Sequence, residues 1–370
     1  MKVSDVATPD ADQSRSGKLG KMALRPLDIV SKGWSWLFLI VLIIFFSITG
    51  QGFLNIYNFQ TIGADMSLVL IMALGETFVI LSGGIDLSVG FIMGMASVAA
   101  ALVMNNLGNK YPLIVVVLAG LAAGLAVGLI PGLVNGLIIA RLRVPPFIVT
   151  LGMYGMARGA GFILSGGQPV SVQTNGIGQI GNGYLLYLLP DGRFSFFQLP
   201  SNLQGVRPSQ IVQLLPFPLI LLVVVVLICA WLLSQTRFGR HTYAIGGSEE
   251  ASRRAGIPVV RHTILIYALS ALLASLAGVL YTMRFSNGAA DVGDPLLIDS
   301  IAAVIIGGAS LFGGEGTILG TVIGALIISI IQNGLIFLDI DPFWQFIAVG
   351  AVIILAVLVD QAKKQLVERS

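Results

Sequence analysis

The sequence predicts an all-α, polytopic integral membrane protein of about ten transmembrane helices with an internal repeat. Three observations carry that prediction. Of 370 residues, 56% are hydrophobic and 11% charged, and mean hydropathy is +0.91. A soluble domain carries about 25% charged residues, so this chain lacks the polar surface of a water-soluble shell. Apolar runs approaching the roughly 20 residues that cross a bilayer recur along its length. Lys and Arg gather in short clusters between those runs.

The runs fall at 34–50, 66–81, 89–104, 113–140, 147–164, 217–233, 263–285, 297–312, 316–336 and 344–359. Each is apolar on nearly every side, as expected where lipid or other helices cover all faces. No small-residue cleavage site closes the run from Trp34, so it reads as a span acting as its own signal. The expected organisation is a tail at 1–33, a transmembrane domain at 34–359 and a second tail at 360–370.

Orientation follows from the basic residues. The first tail holds Lys2, Arg15, Lys18, Lys21, Arg25 and Lys32, and the turn at 141–146 holds Arg141 and Arg143. The 234–262 loop holds Arg237, Arg240, Arg253, Arg254 and Arg261, and the last tail Lys363, Lys364 and Arg369. With ten spans and the N-terminus inside, all four clusters are cytoplasmic and both termini lie on that side. The 165–216 segment, with only Arg193 and Arg207, falls outside.

Two stretches repeat at a constant offset of 230 positions: "LSGGIDLSVGFIMG" from Leu81 and "LFGGEGTILGTVIG" from Leu311. Gly83, Gly84, Gly90 and Gly94 match Gly313, Gly314, Gly320 and Gly324. An inverted repeat, common in transporters, would place these Gly-Gly turns on opposite sides. The span count places them on one side, so either the repeat is parallel or a short run fails to cross. Gly120, Gly124, Gly128, Gly132 and Gly136 recur every four residues, and Gly316, Gly320 and Gly324 do likewise. Small residues at that spacing let a neighbouring helix approach closely. Pro131 interrupts the first stripe and is a candidate kink.

The most informative polar stretch is "TRFGRHTYAIGGSEEASRRAGIPVVRH", 236–262. Ser248 suits an N-cap, Glu249 and Glu250 the positive helix end, and Arg253 and Arg254 the negative end. Gly256 then stops the helix and Pro258 prevents its resumption. A short cytoplasmic helix of about two turns is expected at 248–255.

"FGRHTYAIGGSEEASRRAGI", "LSGGIDLSVG", "VPPFIVTLGMYGMARGAGF" and "LIDSIAAVIIGGASLFGGEGTILGTVIGALI" together resemble the permease subunits of bacterial ATP-driven sugar importers. The nearest group is the ribose, xylose, galactose and fructose type, which also includes autoinducer-2 relatives. The likeness runs from about residue 60 to 355. It implies a type II ABC importer fold in the bacterial inner membrane, two permease subunits paired as homodimer or heterodimer, two ATP-binding cassette ATPases beneath and a periplasmic sugar-binding protein above. Ser248, Glu249, Glu250, Ala251, Arg253, Arg254 and Gly256 then match the coupling helix that docks in the ATPase. Ser252 stands where the family shows an alanine.

The intramembrane polar residues are candidates for the translocation path: Glu76, Asp86, Asn135, Arg158 and Asn333. Ionisable groups at membrane depth face the protein interior or a water-filled path. Asp86 can cap the next helix or touch substrate. Glu76 can be a buried group bonded to a neighbouring helix, or an acceptor for sugar hydroxyls. Arg158 can snorkel outward or pair with a carboxylate. Asp291, Asp294 and Asp299 flank an outer turn and most read as solvated or capping, with docking of the binding protein a lesser alternative.

A net charge of +3 with no continuous basic face argues against nucleic acid. The single Cys229 allows no intrachain disulfide, and His241 and His262 read as surface residues of the cytoplasmic loop. There is no metal-spaced cluster, no cofactor motif and no catalytic triad. No phosphate loop Gly-x-x-x-x-Gly-Lys-Ser/Thr occurs, and "GIGQIG" at 176–181 lacks the strand–helix unit of a nucleotide site. The chain thus has no recognisable means of binding or hydrolysing ATP, and the resemblance implies that hydrolysis belongs to partner subunits. The rivals are an ion-coupled secondary carrier, which needs a richer relay of buried acids and bases, a non-transporting scaffold, and a branched-chain amino-acid permease of the same superfamily.

Overall fold

The computed structural model describes residues 34–198, 210–341 and 343–368. The six basic residues of the first tail, Arg207 and Arg369 lie outside the described residues. Among the described residues, seven helices are long and apolar enough to cross a membrane: α2 (Ile56–Leu81), α3 (Val89–Leu107, extended by a 3-10 turn to Lys110), α4 (Leu113–Leu142), α5 (Pro146–Ser165), α7 (Phe217–Gln235), α10 (Val259–Phe285) and α12 (Ile318–Phe337). Helix α1 (Trp34–Thr49) and the apolar part of α13 (Trp344–Glu368) are shorter.

Helix α2 is the axis of the bundle. From Met66 to Leu81 every side is buried, so its sequence is apolar all round rather than striped. Helices α7, α10, α11 (Asp294–Ile306) and α12 pack around it, α3 joins through α10 and α4, and α4, α5 and α7 show most of their surface outward. Only the glycine side of α4 turns inward. Gly120 lies against Met104, Gly124 against Val279, Gly128 against Ser275 and Gly136 against the Ile264 backbone. The four-residue glycine period therefore serves close helix packing. Pro131 sits inside α4, buried on the same side. Gly316 leaves the second stripe, since it lies before α12 with φ +148°.

Two expected spans change. The run at 66–81 is the second half of a 26-residue helix, capped by the Asn55 side chain on the Tyr57 amide. Hydropathy stopped at Asp65, but Arg284 pairs with that carboxylate at 2.7 Å. The run at 297–312 is not a span. Helix α11 has 13 residues, about 20 Å at 1.5 Å per residue, and ends at Gly307 before Gly308 turns the chain at φ +89°.

The length missing from α11 is made up by irregular chain. After α10 ends, residues 286–293 return along α3 towards the bundle centre. A Cβ on Gly288 would lie 2.6 Å from the Ser97 oxygen, and one on Gly90 would lie 2.6 Å from the Gly293 oxygen. Non-helical backbone at this depth is tolerated only where protein buries it. Ser97 supplies the missing partners: its Oγ accepts from the Ala289 amide at 3.1 Å and reaches the Ala289 carbonyl oxygen at 3.0 Å.

One end of the bundle carries the described parts of the 166–216 segment, where the sequence offered no subdivision. Strand β1 (Val170–Ser171) pairs antiparallel with β5 (Asn287–Gly288), and the short α6 (Ile177–Asn182) sits on the end of α10. Strands β2 (Tyr184–Leu188), β3 (Phe194–Phe196) and β4 (Val212–Pro216) form a sheet in the order β3-β2-β4. In its register Leu186 faces both Phe196 and Leu214. The opposite end carries α8 (Arg237–Gly247) and α9 (Glu249–Arg254).

Candidate functional site

At the end bearing α8 and α9, both repeated Gly-Gly turns meet. The Gly314 amide donates to the Leu81 carbonyl oxygen at 2.9 Å, and a Cβ on Gly313 would lie 3.0 Å from the Gly83 nitrogen. The turns lie on one side, as the span count required. Gly246 of α8 fits against both, with Leu81 O and Gly314 N so close that no side chain fits between. Helix α8 is missing from the sequence reading. Its signals were Thr236, whose Oγ1 accepts from the amides of Phe238 and Gly239, and the amphipathic run behind it.

Three further contacts hold α8 to the bundle. Tyr243 donates its hydroxyl to Gly316 O at 2.7 Å, Thr242 Oγ1 lies 2.9 Å from His262 Nε2, and Phe238 packs at a tilt against His262 with ring centres 4.5 Å apart. His262 is therefore buried, not a surface residue. Pro258 starts α10 at Val259 and so puts His262 in the first turn, beneath α8. The burial that encloses Tyr243 also raises its phenol pKa.

Helix α9 projects from this anchored base. Ser248 ends α8 and caps α9, its Oγ accepting from the Ala251 amide at 3.2 Å. Ion pairs Arg253–Glu249 at 2.6 Å and Arg254–Glu250 at 3.0 Å run along its exposed surface. Ala251 is exposed, Ser252 faces inward, and Gly256 turns the chain at φ +81°. The seven residues assigned to the coupling element thus lie together on one protrusion, between 248 and 256. A cleft of about 290 Å³ opens beside it, lined by Glu249, Gly83, Arg143 and Tyr267 among others.

Behind Gly84 lies a sealed polar cluster. Asp86 Oδ1 accepts from the Ser88 amide at 2.9 Å and the Ser88 hydroxyl at 2.5 Å. Asn135 Nδ2 donates to Ser88 Oγ at 2.9 Å. Asp86 thus serves the N-cap residue of α3 rather than the helix amides themselves. Glu76 lies against Asp86, Tyr267 places its hydroxyl on Gly84, and Ser270 packs on Gly75. The Glu76 carboxyl oxygens, Asp86 Oδ2, Asn135 Oδ1, Tyr267 Oη and Ser270 Oγ have no hydrogen-bond partner among the described residues.

The structure therefore divides the five path candidates. Glu76, Asp86 and Asn135 come together, but at 0% exposure, inside the bundle rather than along an open surface. Among the described residues, no hydrogen bond joins Glu76 to a neighbouring helix. Asn333 is half-buried near the far end of α12. Arg158 is exposed on α5, its guanidinium 5.4 Å from the Phe91 ring centre. Of the acids assigned to the outer turn, Asp299 departs from a solvated or capping place, while Asp294 is half-exposed at the first position of α11. Asp299 is buried and accepts from Gln332 at 2.9 Å, and Asp294 accepts from the Tyr154 hydroxyl at 2.9 Å. Sequence missed Tyr154, Tyr267 and Ser270 because apolar neighbours surround each one.

A bundle of apolar crossing helices, with irregular backbone held inside it, belongs to the class of multi-pass membrane permeases. This chain is a member of the family described as branched-chain amino acid transport system / permease component, which matches residues 58–357. It is 37% identical to the ribose import permease protein RbsC of Bacillus subtilis, covering 90% of this chain and 94% of that one. It is 38% identical to RbsC of Escherichia coli K12, covering 90% and 96%. The xylose transport system permease protein XylH of Haemophilus influenzae is 35% identical, covering 88% and 94%. These relatives are transport subunits, not enzymes. No solved structure matches the chain.

Proposed function

We propose that this chain is the translocating subunit of an ATP-driven importer that carries a monosaccharide across the inner membrane by alternating access. The observation that carries this reading is the anchorage of α8 and α9. The exposed α9 is continuous with α8, and α8 bears through Gly246 on the end of α2 and on the loop before α12. A push on α9 reaches two core helices without crossing a flexible link. In this reading Ser248, Glu249, Glu250, Ala251, Arg253, Arg254 and Gly256 receive that push from a partner ATPase. The 234–262 loop and both termini face the cytoplasm, and the 165–216 segment faces a periplasmic sugar-binding protein. A second permease subunit completes the path. The names of RbsC and XylH favour a pentose as cargo.

The test is uptake of labelled ribose and xylose into proteoliposomes holding the complete assembly. ATP-dependent accumulation that is lost with Ala251→Pro, while the subunits still co-purify, supports the assignment. Uptake that proceeds without any ATPase and collapses with an ionophore overturns it. The family description itself names branched-chain amino acids, so leucine uptake in the same vesicles tests the second reading.

A further inference from the structure

At the level where α11 begins, the outside of the bundle carries both signs of charge. Arg158 is the thirteenth residue of α5, about 18 Å along a helix of about 30 Å at 1.5 Å per residue. Asp294 opens α11 inside the bundle's span, because Gly293 lies against Gly90 at the start of α3. The Tyr154 hydroxyl bonds Asp294 at 2.9 Å, and its ring meets Phe91 edge-on at 4.6 Å. Arg158 stands over that same Phe91 ring. Phe91 is buried, while Arg158 is exposed and Tyr154 and Asp294 are half-exposed.

Neither charge is satisfied within the described residues. Arg158 makes no ion pair there and retains its five N–H donors. Asp294 accepts one phenol bond and keeps further lone pairs. Lipid is a poor neighbour for either, since ionisable groups at membrane depth face the protein interior or a water-filled path. The surface beside them is open and free of side chains: Gly152, Gly155 and Gly159 are exposed, and a Cβ added at any of them would meet nothing within 4 Å. Donors, acceptors and an aromatic edge around a side-chain-free strip suit a neutral ring bearing several hydroxyls. A single ion would engage only half of them.

Resting on the proposed sugar import, we infer that Tyr154, Arg158 and Asp294, braced by Phe91, form a sugar-contact station on a water-filled path along α5. Arg158 donates to ring hydroxyls, Asp294 accepts from them, and Tyr154 positions the Asp294 carboxylate. The sealed Glu76–Asp86 cluster takes no part.

Two measurements decide it. Arg158→Cys is made in a Cys229→Ala background, since Cys229 is the only native cysteine. A membrane-impermeant, water-soluble methanethiosulfonate is then applied to vesicles holding the complete assembly. Labelling is expected; reaction only with a lipid-soluble reagent overturns the inference. This readout concerns water access and stands even if the cargo is not a sugar. In uptake assays, Asp294→Asn and Arg158→Gln should each slow ribose and xylose entry at least tenfold. ATP hydrolysis stimulated by the binding protein should stay within twofold. Tyr154→Phe should chiefly weaken discrimination against 2-deoxyribose. Unchanged rates and selectivity in all three overturn the station. A wild-type assembly that moves no sugar overturns the cargo assignment instead.

Discussion

The Gly314 amide donates to the Leu81 carbonyl oxygen across 2.9 Å, joining two turns that match at an offset of 230 residues. Each turn joins two helices: α2 to α3 in the first, α11 to α12 in the second. Gly246 of α8 wedges against the bond itself. The repeat thus brings two helix pairs to one point at the base of α8. Four predictions follow from how that point and its surroundings are built.

At the wedge, Gly246→Ala puts a methyl group into the backbone of Leu81 and Gly314, where nothing can retreat. Overpacking of this kind costs about 1–3 kcal/mol. The thermal midpoint of the detergent-purified protein should fall by several degrees. Gly247→Ala is the control, because its Cβ would meet nothing within 4 Å. Equal behaviour of the two variants would place α8 elsewhere.

On α9, Ser248→Ala removes the cap on the Ala251 amide. Loss of an N-cap costs about 1 kcal/mol, and in a six-residue helix that frays the whole element. Glu250→Gln instead breaks an exposed pair worth at most about 1 kcal/mol. Stability should hold in both, measured by thermal melting, while ATP-driven uptake falls several-fold. Full uptake in both variants would remove α9 from the transport cycle.

Inside the sealed cluster, Ser88 holds Asp86 and Asn135 together with one hydroxyl. Ser88→Ala strands Asn135 Nδ2 and leaves Asp86 Oδ1 with only the residue-88 amide, where no water reaches. An unsatisfied buried partner costs about 1–3 kcal/mol each. The variant should accumulate at lower level in the membrane and melt earlier. The impermeant thiol reagent should still label Arg158→Cys in that background, because the cluster lies off the inferred path.

Ser97 is the pin for the irregular chain at 286–293. Ser97→Ala leaves the Ala289 amide without its partner and its carbonyl oxygen without the hydroxyl. Hydrogen exchange at residues 287–292 should accelerate at least tenfold while α2 remains protected. Gly94→Ala should act in the same direction, since its methyl group would run into the Ala290 carbonyl. Uniform exchange across the variants would mean that the helix-free segment has other supports.

Much of this protein is legible in its residues. A 3.6-residue helix buried on all sides must be apolar on all sides, so α2, α3 and α10 announce themselves by hydropathy alone. Ser248, the Glu and Arg pairs and Gly256 mark α9 because capping and turn chemistry are local. The glycine period of α4 marks a contact face for the same reason. Helix α11 was overread because Gly307–Gly308 breaks the chain without breaking the hydropathy. His262 was underread because burial depends on what covers a residue, and the cover is Phe238 and Thr242 of α8.

By itself, the sequence determined membrane residence, helix count to within a few short segments, the protruding helix and the family. Those properties depend on composition and on neighbours within about a turn. The folded chain alone decided which polar groups are sealed and which stand open. Glu76 and Asp86 looked no different from Arg158 in sequence. Separation came only when α4 and α10 closed over the first two and left α5 bare at the third. Packing between residues distant in the chain settles that, and no local pattern encodes it.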